Sequence, residues 1–400
     1  MAWPLLSQLA LLPYFCITHH TAMAGLYIHI PFCASKCIYC DFYSLAGSSH
    51  DVGRYVDALV AELKLRHHEI DEPLTTLYIG GGTPSLLPLS QFSRLVDALS
   101  RTVPMGGVEE FTVEVNPDDV TASYVARLKS LGVNRISMGV QSFDDRDLRF
   151  INRRHTARQA LEAVHAIGQA GVHNVSIDLI YGIPGQTLDS WTCTVDQAVA
   201  LGVEHISAYS LMYEQGTRLW VMRQTGKVTE VDDDTCVAMY DTLVSRLRLA
   251  GYDHYEISNF ALPGYCSRHN SSYWDLTPYL GLGPAAHSYD GRVRRYNPPR
   301  LKSYLHSLEA GKCAFVTETE TDWQRYDEYV MLRLRTAAGL CVDDMKARFA
   351  PCYVDYFLSH VHPLLGTSIE ECEGNRYRIP ESRIMVADAI TTELLWDSPE

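Results

Sequence analysis

The sequence predicts an α/β fold built on a parallel sheet, and two observations carry that expectation. The first is an internal repeat. Gly132-Val133-Asn134-Arg135-Ile136-Ser137 recurs as Gly171-Val172-His173-Asn174-Val175-Ser176 and as Gly202-Val203-Glu204-His205-Ile206-Ser207. Each copy closes an amphipathic stretch and opens an apolar run. That is the pattern of a helix ended by a left-handed glycine and turned into a buried strand. The second is alternation: short apolar runs and helical stripes follow one another as far as Gly251. Strands alternating with helices imply a parallel sheet with the helices packed outside it.

Taken in order, the runs place strands at 26–30, 75–79, 111–115, 135–140, 175–180 and 205–211. The intervening segments carry helical stripes. Val52, Tyr55, Val56, Leu59, Val60 and Leu63 form one; Val237, Met239, Tyr240, Leu243, Val244 and Leu247 form another. Six such units make either a doubly wound sheet or an incomplete barrel, and in both the chemistry gathers at the carboxyl ends of the strands. A further strand is expected at 252–257. An irregular junction rich in Tyr, Gly, Pro and His follows over 259–300. From 301 to 400 a smaller, mostly helical C-terminal domain is expected, with helices at 323–334 and 342–349 and a hairpin near 377–379. The barrel or sheet domain then spans 23–258. Residues 1–22 have Leu-rich runs but no Lys or Arg, so they lack the basic start of a signal peptide. We read Met23 as the natural start and 1–22 as a spurious or disordered extension.

The 400-residue chain is 46% hydrophobic and 20% charged, with a net charge of −14. That charge excludes a general nucleic-acid binder and a polybasic membrane patch, because nothing would offset phosphate repulsion. Eleven cysteines without a pairing pattern do not make a disulfide scaffold, so a reducing cytoplasm is expected.

Three of those cysteines stand together in His29-Ile30-Pro31-Phe32-Cys33-Ala34-Ser35-Lys36-Cys37-Ile38-Tyr39-Cys40-Asp41-Phe42. Pro31 and the small and polar neighbours make this a loop after the first strand. Three thiolates at this spacing can hold three irons of a four-iron cluster and leave the fourth open to a small molecule. A zinc site with a fourth ligand such as Asp41, His29 or a distant histidine, or a packed core, are the alternatives. The other strands also end in polar or glycine-rich text: Gly80-Gly81-Gly82-Thr83-Pro84, Glu114 before Asn116-Pro117, Gly139-Val140-Gln141-Ser142, and Asp178 before Gly182-Ile183-Pro184-Gly185. A polar side chain in an apolar parallel strand costs free energy unless it has a partner. Glu114, Gln141 and Asp178 recur on the rim that bears the cysteines, which favours a ligand site. Arg153, after the fourth strand, is placed to neutralise a carboxylate.

These residues resemble the radical S-adenosylmethionine (SAM) proteins. With Tyr27-Ile28-His29-Ile30-Pro31-Phe32-Cys33, Gly139-Val140-Gln141-Ser142 and Asp178-Leu179-Ile180-Tyr181-Gly182-Ile183-Pro184, the resemblance narrows to the oxygen-independent coproporphyrinogen III oxidase family, from about Leu26 onward. It implies a partial (β/α)6 barrel. It implies a [4Fe-4S] cluster on Cys33, Cys37 and Cys40, and one-electron cleavage of SAM bound at the open iron. By similarity Tyr27, Gly81, Gly82, Thr83, Glu114, Gln141, Arg153 and Asp178 contact SAM, and Tyr39 and Met212 match positions that hold a second SAM. The oxidase motif continues to a fourth cysteine where this chain has Asp41-Phe42. His269-Asn270-Ser271-Ser272-Tyr273-Trp274 instead matches the H-N-x-x-Y-W motif of the HemW-like haem chaperones. The resemblance therefore implies haem as cargo, contacted by His269, Tyr273 and Trp274, with His29 and His287 as weaker candidates. It implies an electron donor, delivery to apo-haemoproteins of respiration, and peripheral contact with membrane-bound acceptors. Oxidase activity and a zinc-stabilised binding protein without radical chemistry are the alternative readings.

Overall fold

A computed structural model describes residues 24–47, 51–70 and 73–397. The expected extension 1–22 lies outside them. Six parallel strands run in sequence order: β1 (Ala24–Ile30), β2 (Leu74–Gly81), β3 (Glu110–Val115), β4 (Arg135–Gln141), β5 (Asn174–Tyr181) and β6 (His205–Ser210). Each lies within two residues of the expected bounds. The longer helices between them are α1 (Val52–Arg66), α2 (Leu89–Thr102), α3 (Ala122–Ser130), α4 (Ala157–Gln169), α5 (Leu188–Leu201) and, after β6, α6 (Asp233–Leu249). Thr156 and Thr187 open α4 and α5 with capping boxes. The repeat does what its pattern requires, since Gly132, Gly171 and Gly202 all have positive φ at the turns into β4, β5 and β6.

The sheet does not stop at the six units. On the β6 side it gains β7 (Asp253–Glu256) and β8 (Asn259–Ala261), with β8 between β6 and β7. On the β1 side β9 (Tyr279–Leu282) pairs parallel with β1, and β10 (His287–Tyr289), β11 (Val293–Tyr296) and β12 (Val316–Thr319) continue antiparallel. The result is one open twelve-stranded sheet in the order β12-β11-β10-β9-β1-β2-β3-β4-β5-β6-β8-β7. Residues 259–300 thus hold several strands and a short helix, α7 (Arg268–Trp274), more structure than their composition suggests. The C-terminal part is mostly helical, with α8 (Leu301–Glu309), α9 (Asp322–Leu334), α10 (Val342–Arg348) and α11 (Pro351–Val361) and a small three-stranded sheet.

The α1 stripe is buried at Tyr55, Val56, Leu59 and Leu63, against the outer face of the sheet. In α6 the buried set is Met239, Tyr240, Leu243 and Leu247; Val237 is 41% exposed, so the expected stripe is one residue too wide. The sheet's other face is polar. Along each strand every second residue turns inward: Thr76 and Tyr78; Glu110, Thr112 and Glu114; Arg135 and Ser137; Ser176 and Asp178; His205 and Ser207. A packed (β/α) barrel fills this space with branched apolar side chains. Here the lumen is lined with hydrogen-bonding groups, and its upper rim carries the cysteine loop.

Candidate functional site

The cysteine loop is tied to the barrel at several points. Phe32–Cys33 pairs with Leu45–Ala46 in a short parallel clip that closes the loop on itself. Ile38 is its anchor. It sits 5% exposed with Ile151, Ile180, Ile183, Leu211 and Leu219 in an apolar cluster separate from the main core. Its amide donates to the Ile151 carbonyl (3.3 Å) and its carbonyl accepts from the Leu219 amide (2.8 Å). The apolar residue between the second and third cysteines is thus the plug that seats them.

The three thiols are free, Cys33 buried and Cys37 and Cys40 partly so. Thr83 Oγ1 donates to Cys33 Sγ at 3.5 Å, and Arg153 Nη1 donates to Cys37 Sγ at 3.5 Å. Burial pushes the Cys40 thiol up to about 11. Among the described residues no three His, Cys, Asp or Glu side chains converge as a single ion demands. Zinc needs its donors gathered on one point. An iron–sulfur cube takes each thiolate on a different iron, and three cysteines on one loop can supply them.

Glycine at position 82 is required by contact rather than by φ. A Cβ there would lie 2.8 Å from the Phe32 carbonyl and 2.9 Å from the Ile30 carbonyl, and the Gly82 amide donates to Ile30 O at 2.7 Å. The glycine segment therefore lies flat against the strand that carries Cys33. The Gly81 amide donates to Glu114 Oε2 (2.9 Å) and the Tyr78 hydroxyl to Glu114 Oε1 (2.7 Å). Burial raises Glu114 to about 7 despite these two donors. Burial also raises Asp178 to about 6, against a hydrogen bond from Ser207. Both carboxyls thus titrate near neutrality inside the lumen.

Arg153 Nη2 donates to the Gly139 carbonyl (2.5 Å) and to Asn116 Oδ1 (2.9 Å), while its Nε is buried without a partner. Gln141 is 8% exposed and adopts φ 71°, at a register shift between β4 and β5. A non-glycine residue held there is strained, which is a common mark of a ligand site. Tyr27 is half-buried, its hydroxyl 3.0 Å from His29 Nδ1. Tyr39 is half-buried against the Ile38 cluster, and Met212, 64% exposed, lies beyond the end of β6. The structure therefore gathers Tyr27, Tyr39, Gly81, Gly82, Thr83, Glu114, Gln141, Arg153 and Asp178 around the cysteine loop and the lumen mouth, with Met212 at the margin. The thiols, the guanidinium and the close glycine backbone fit a cluster and an attached SAM: three iron ligands, a cation beside them, and carboxylates for hydroxyl or amino groups.

The motif helix α7 lies at the opposite end of the lumen. Ser267 caps it, and the Glu110 carboxylate accepts from the backbone amides of Arg268 and His269, both at 2.9 Å. His269 is 1% exposed, and both ring nitrogens are engaged: Nδ1 with Thr76 Oγ1 (2.8 Å), Nε2 with the Tyr273 hydroxyl (2.9 Å). Its ring stacks on Tyr78 at 5.0 Å, and burial, with Arg135 adding to it, lowers its pKa to about 3. Tyr273 and Trp274 are half-buried. His29 is 5% exposed, its nitrogens held by Tyr27 and the Tyr43 carbonyl; His287 is exposed and stacks on Tyr296.

Several lumen residues escaped the sequence reading: Thr76, Tyr78, Glu110, Arg135, Ser207 and the anchor Ile38. The only signal was collective, since none of these residues stands out by its type alone. Polar residues recur at every second position of β2 to β6, although parallel strands buried on both faces ordinarily read as continuous apolar runs.

The comparisons with known proteins agree with this geometry. The Radical SAM superfamily model matches residues 27–198. A protein named heme chaperone HemW from Lactococcus lactis is 33% identical over 93% of this chain and 97% of its own length. One from Bacillus subtilis is 37% identical over 83% and 87%. Among solved structures, the radical SAM enzyme coproporphyrinogen III oxidase (HemN) of Escherichia coli superposes with a TM-score of 0.81 at 22% identity, covering 94% of this chain and 90% of the oxidase, a likeness of fold. By its kinship over nearly the whole length of such relatives, the chain belongs to the HemW-type family of the radical SAM superfamily.

Proposed function

We propose that the protein is a haem chaperone that holds a [4Fe-4S] cluster on Cys33, Cys37 and Cys40 and SAM at the lumen mouth, and passes haem to apo-haemoproteins of respiration. The observation that carries the cofactor reading is the convergence of the cysteine loop, the Gly82 backbone, Arg153 and Glu114 at one rim. The cargo comes from the relatives, which are named haem chaperones. When bound, the cluster supplies one electron to SAM. The chain's own residues seat and orient both: Ile38 fixes the loop, Thr83 and Arg153 donate to the thiolates, and Glu114 and Asp178 offer acceptors to the polar groups of SAM. The oxidase's fourth motif cysteine is replaced here by Phe42, which favours the chaperone over decarboxylation. Among the described residues no helix is long and apolar enough to cross a membrane, and the proposed site of action is the cytoplasm, with a separate electron donor.

The test is anaerobic reconstitution followed by electron paramagnetic resonance and haem titration. The reduced wild type is expected to show a cluster signal that Cys33→Ser removes, and to bind haem stably. A zinc-only protein without that signal overturns the cofactor reading. Conversion of coproporphyrinogen III without stable haem binding overturns the chaperone reading in favour of the oxidase.

A further inference from the structure

A cleft of about 260 Å³ opens beside the motif helix, between α7, the β9–β11 edge of the sheet and α9. Its walls include Tyr273, Leu276, Tyr279, Tyr289, Arg294 and Leu332. Tyr273 and Tyr279 meet edge to face at 4.8 Å, and the Arg294 guanidinium lies 4.8 Å over the Tyr289 ring. Three tyrosines and two leucines make a lining suited to a conjugated ring. Its size is near the lower end for small-molecule sites, so a macrocycle would enter by one edge and keep the other in solvent. That arrangement suits a cargo that must leave again.

Leu276 adds an independent observation. It follows the end of α7 at φ 60°, where glycine is the usual residue, yet it is only 8% exposed and lines the cleft. A branched side chain held in left-handed backbone is strained, and such strain persists where the surroundings impose it, often at ligand clamps. The motif histidine, by contrast, is 1% exposed, its ring stacked on Tyr78. Ligation of iron by His269 would cost this buried ring one of its two bonds, to Thr76 or to Tyr273. Resting on the haem reading above, we infer that this cleft, and not the His269 imidazole, receives the ring of the cargo, with Tyr273 as the motif's contribution to the wall. The Arg294 cation is already shared by Glu328 and Glu320. The apolar edge of the ring therefore enters and the propionates face solvent.

The experiment titrates haemin and haemin dimethyl ester into the reconstituted full-length protein, following the Soret band. Wild type is expected to bind both within about threefold, since no free cation in the wall selects carboxylates. Leu332→Trp fills the cleft and is expected to weaken haemin binding at least tenfold while the cluster signal and melting temperature persist. Leu276→Gly removes wall and strain together, and decides the matter should the tryptophan variant not fold; weaker binding at an equal or higher melting temperature is expected. His269→Gln, which keeps hydrogen-bonding groups, is expected to leave the Soret spectrum unchanged. Unaltered binding in the cleft variants, or a changed spectrum in His269→Gln, overturns the assignment while the chaperone reading stands. Wild-type protein that binds no haemin overturns the chaperone reading itself.

Discussion

Glu114 is the residue whose ionisation most directly links the lumen to pH. Burial raises it from 4.5 to about 7, so the folded protein holds a proton there that the unfolded chain has released. The native state then binds more protons between those values, and the stability of the unliganded protein falls as pH rises from about 5 to 7. A ligand that needs the carboxylate behaves oppositely. We predict that SAM affinity, measured anaerobically by calorimetry, is roughly tenfold weaker at pH 6 than at pH 8, because one unit below its pKa about one carboxyl in ten is ionised. Glu114→Gln should move the remaining dependence down to about pH 6, where Asp178 titrates. An unchanged profile would remove Glu114 from the SAM site. Glu114 and Asp178 were legible in the sequence because a carboxylate inside an apolar run is conspicuous. Tyr78 and Thr76 were not, since both residue types are ordinary in strands. Arg135 was read only as part of the repeat. Its role at the lumen floor depends on which face of β4 points inward, and strand boundaries alone do not reveal that.

Among the elements, α1 shows how the barrel is joined to the C-terminal part of the chain. Glu62 and Arg66 are 1% and 3% exposed and pair at 2.9 Å. The Glu62 carboxylate also accepts from the Gly283 amide, Asn297 Nδ2 and the Tyr304 hydroxyl, at 2.9, 2.7 and 2.6 Å. One side chain thus locks α1 to the end of β9, to the segment after β11 and to α8. Truncation leaves the Gly283 amide, Asn297 Nδ2 and the Tyr304 hydroxyl without this acceptor in a buried place, while Glu69 still holds the Arg66 guanidinium. Glu62→Ala is therefore predicted to cost about 3–5 kcal/mol, seen as a lowered midpoint in denaturant unfolding. A loss below about 1 kcal/mol would show that water replaces the carboxylate. None of this was legible. The α1 periodicity correctly predicts a helix, but Glu62 lies beside the apolar stripe and reads as solvent-facing. Its partners are more than 200 residues away in a region whose Pro and Gly content hid its strands. The six barrel strands were legible for the opposite reason, because each is a local apolar run closed by a local turn.

At the scale of the whole molecule, the barrel and the C-terminal helices are one mechanical body. The sheet passes unbroken from β1 into β9 and on to β12, so the outer edge of β1 is covered by a strand from the far half of the chain. The apolar core is equally continuous. Leu26 and Phe111 of the barrel belong to the same buried cluster as Tyr326, Phe357 and Leu394. The motif helix α7 reinforces the join from below, bonded to Glu110 and Thr76 on one side and reached by Arg333 of α9, which donates to the Trp274 carbonyl at 3.5 Å, on the other. Separate domains unfold separately when few apolar contacts cross between them, and that condition is not met here. We therefore predict a single unfolding transition. Two tryptophans report the two halves: Trp191 is buried in α5 with its indole N–H donating to the Met239 carbonyl, and Trp396 packs on Tyr353 and Tyr356 in the C-terminal helices. Because the chain has six tryptophans, each residue's own signal is the difference between the wild-type fluorescence melt and that of Trp191→Phe or Trp396→Phe, and both difference signals should share the midpoint of the far-ultraviolet circular dichroism. If instead the Trp396 signal is lost at a lower temperature than the backbone signal, the C-terminal part detaches first. The barrel would then stand alone with the β1 edge uncovered and the cleft beside α7 open on the α9 side.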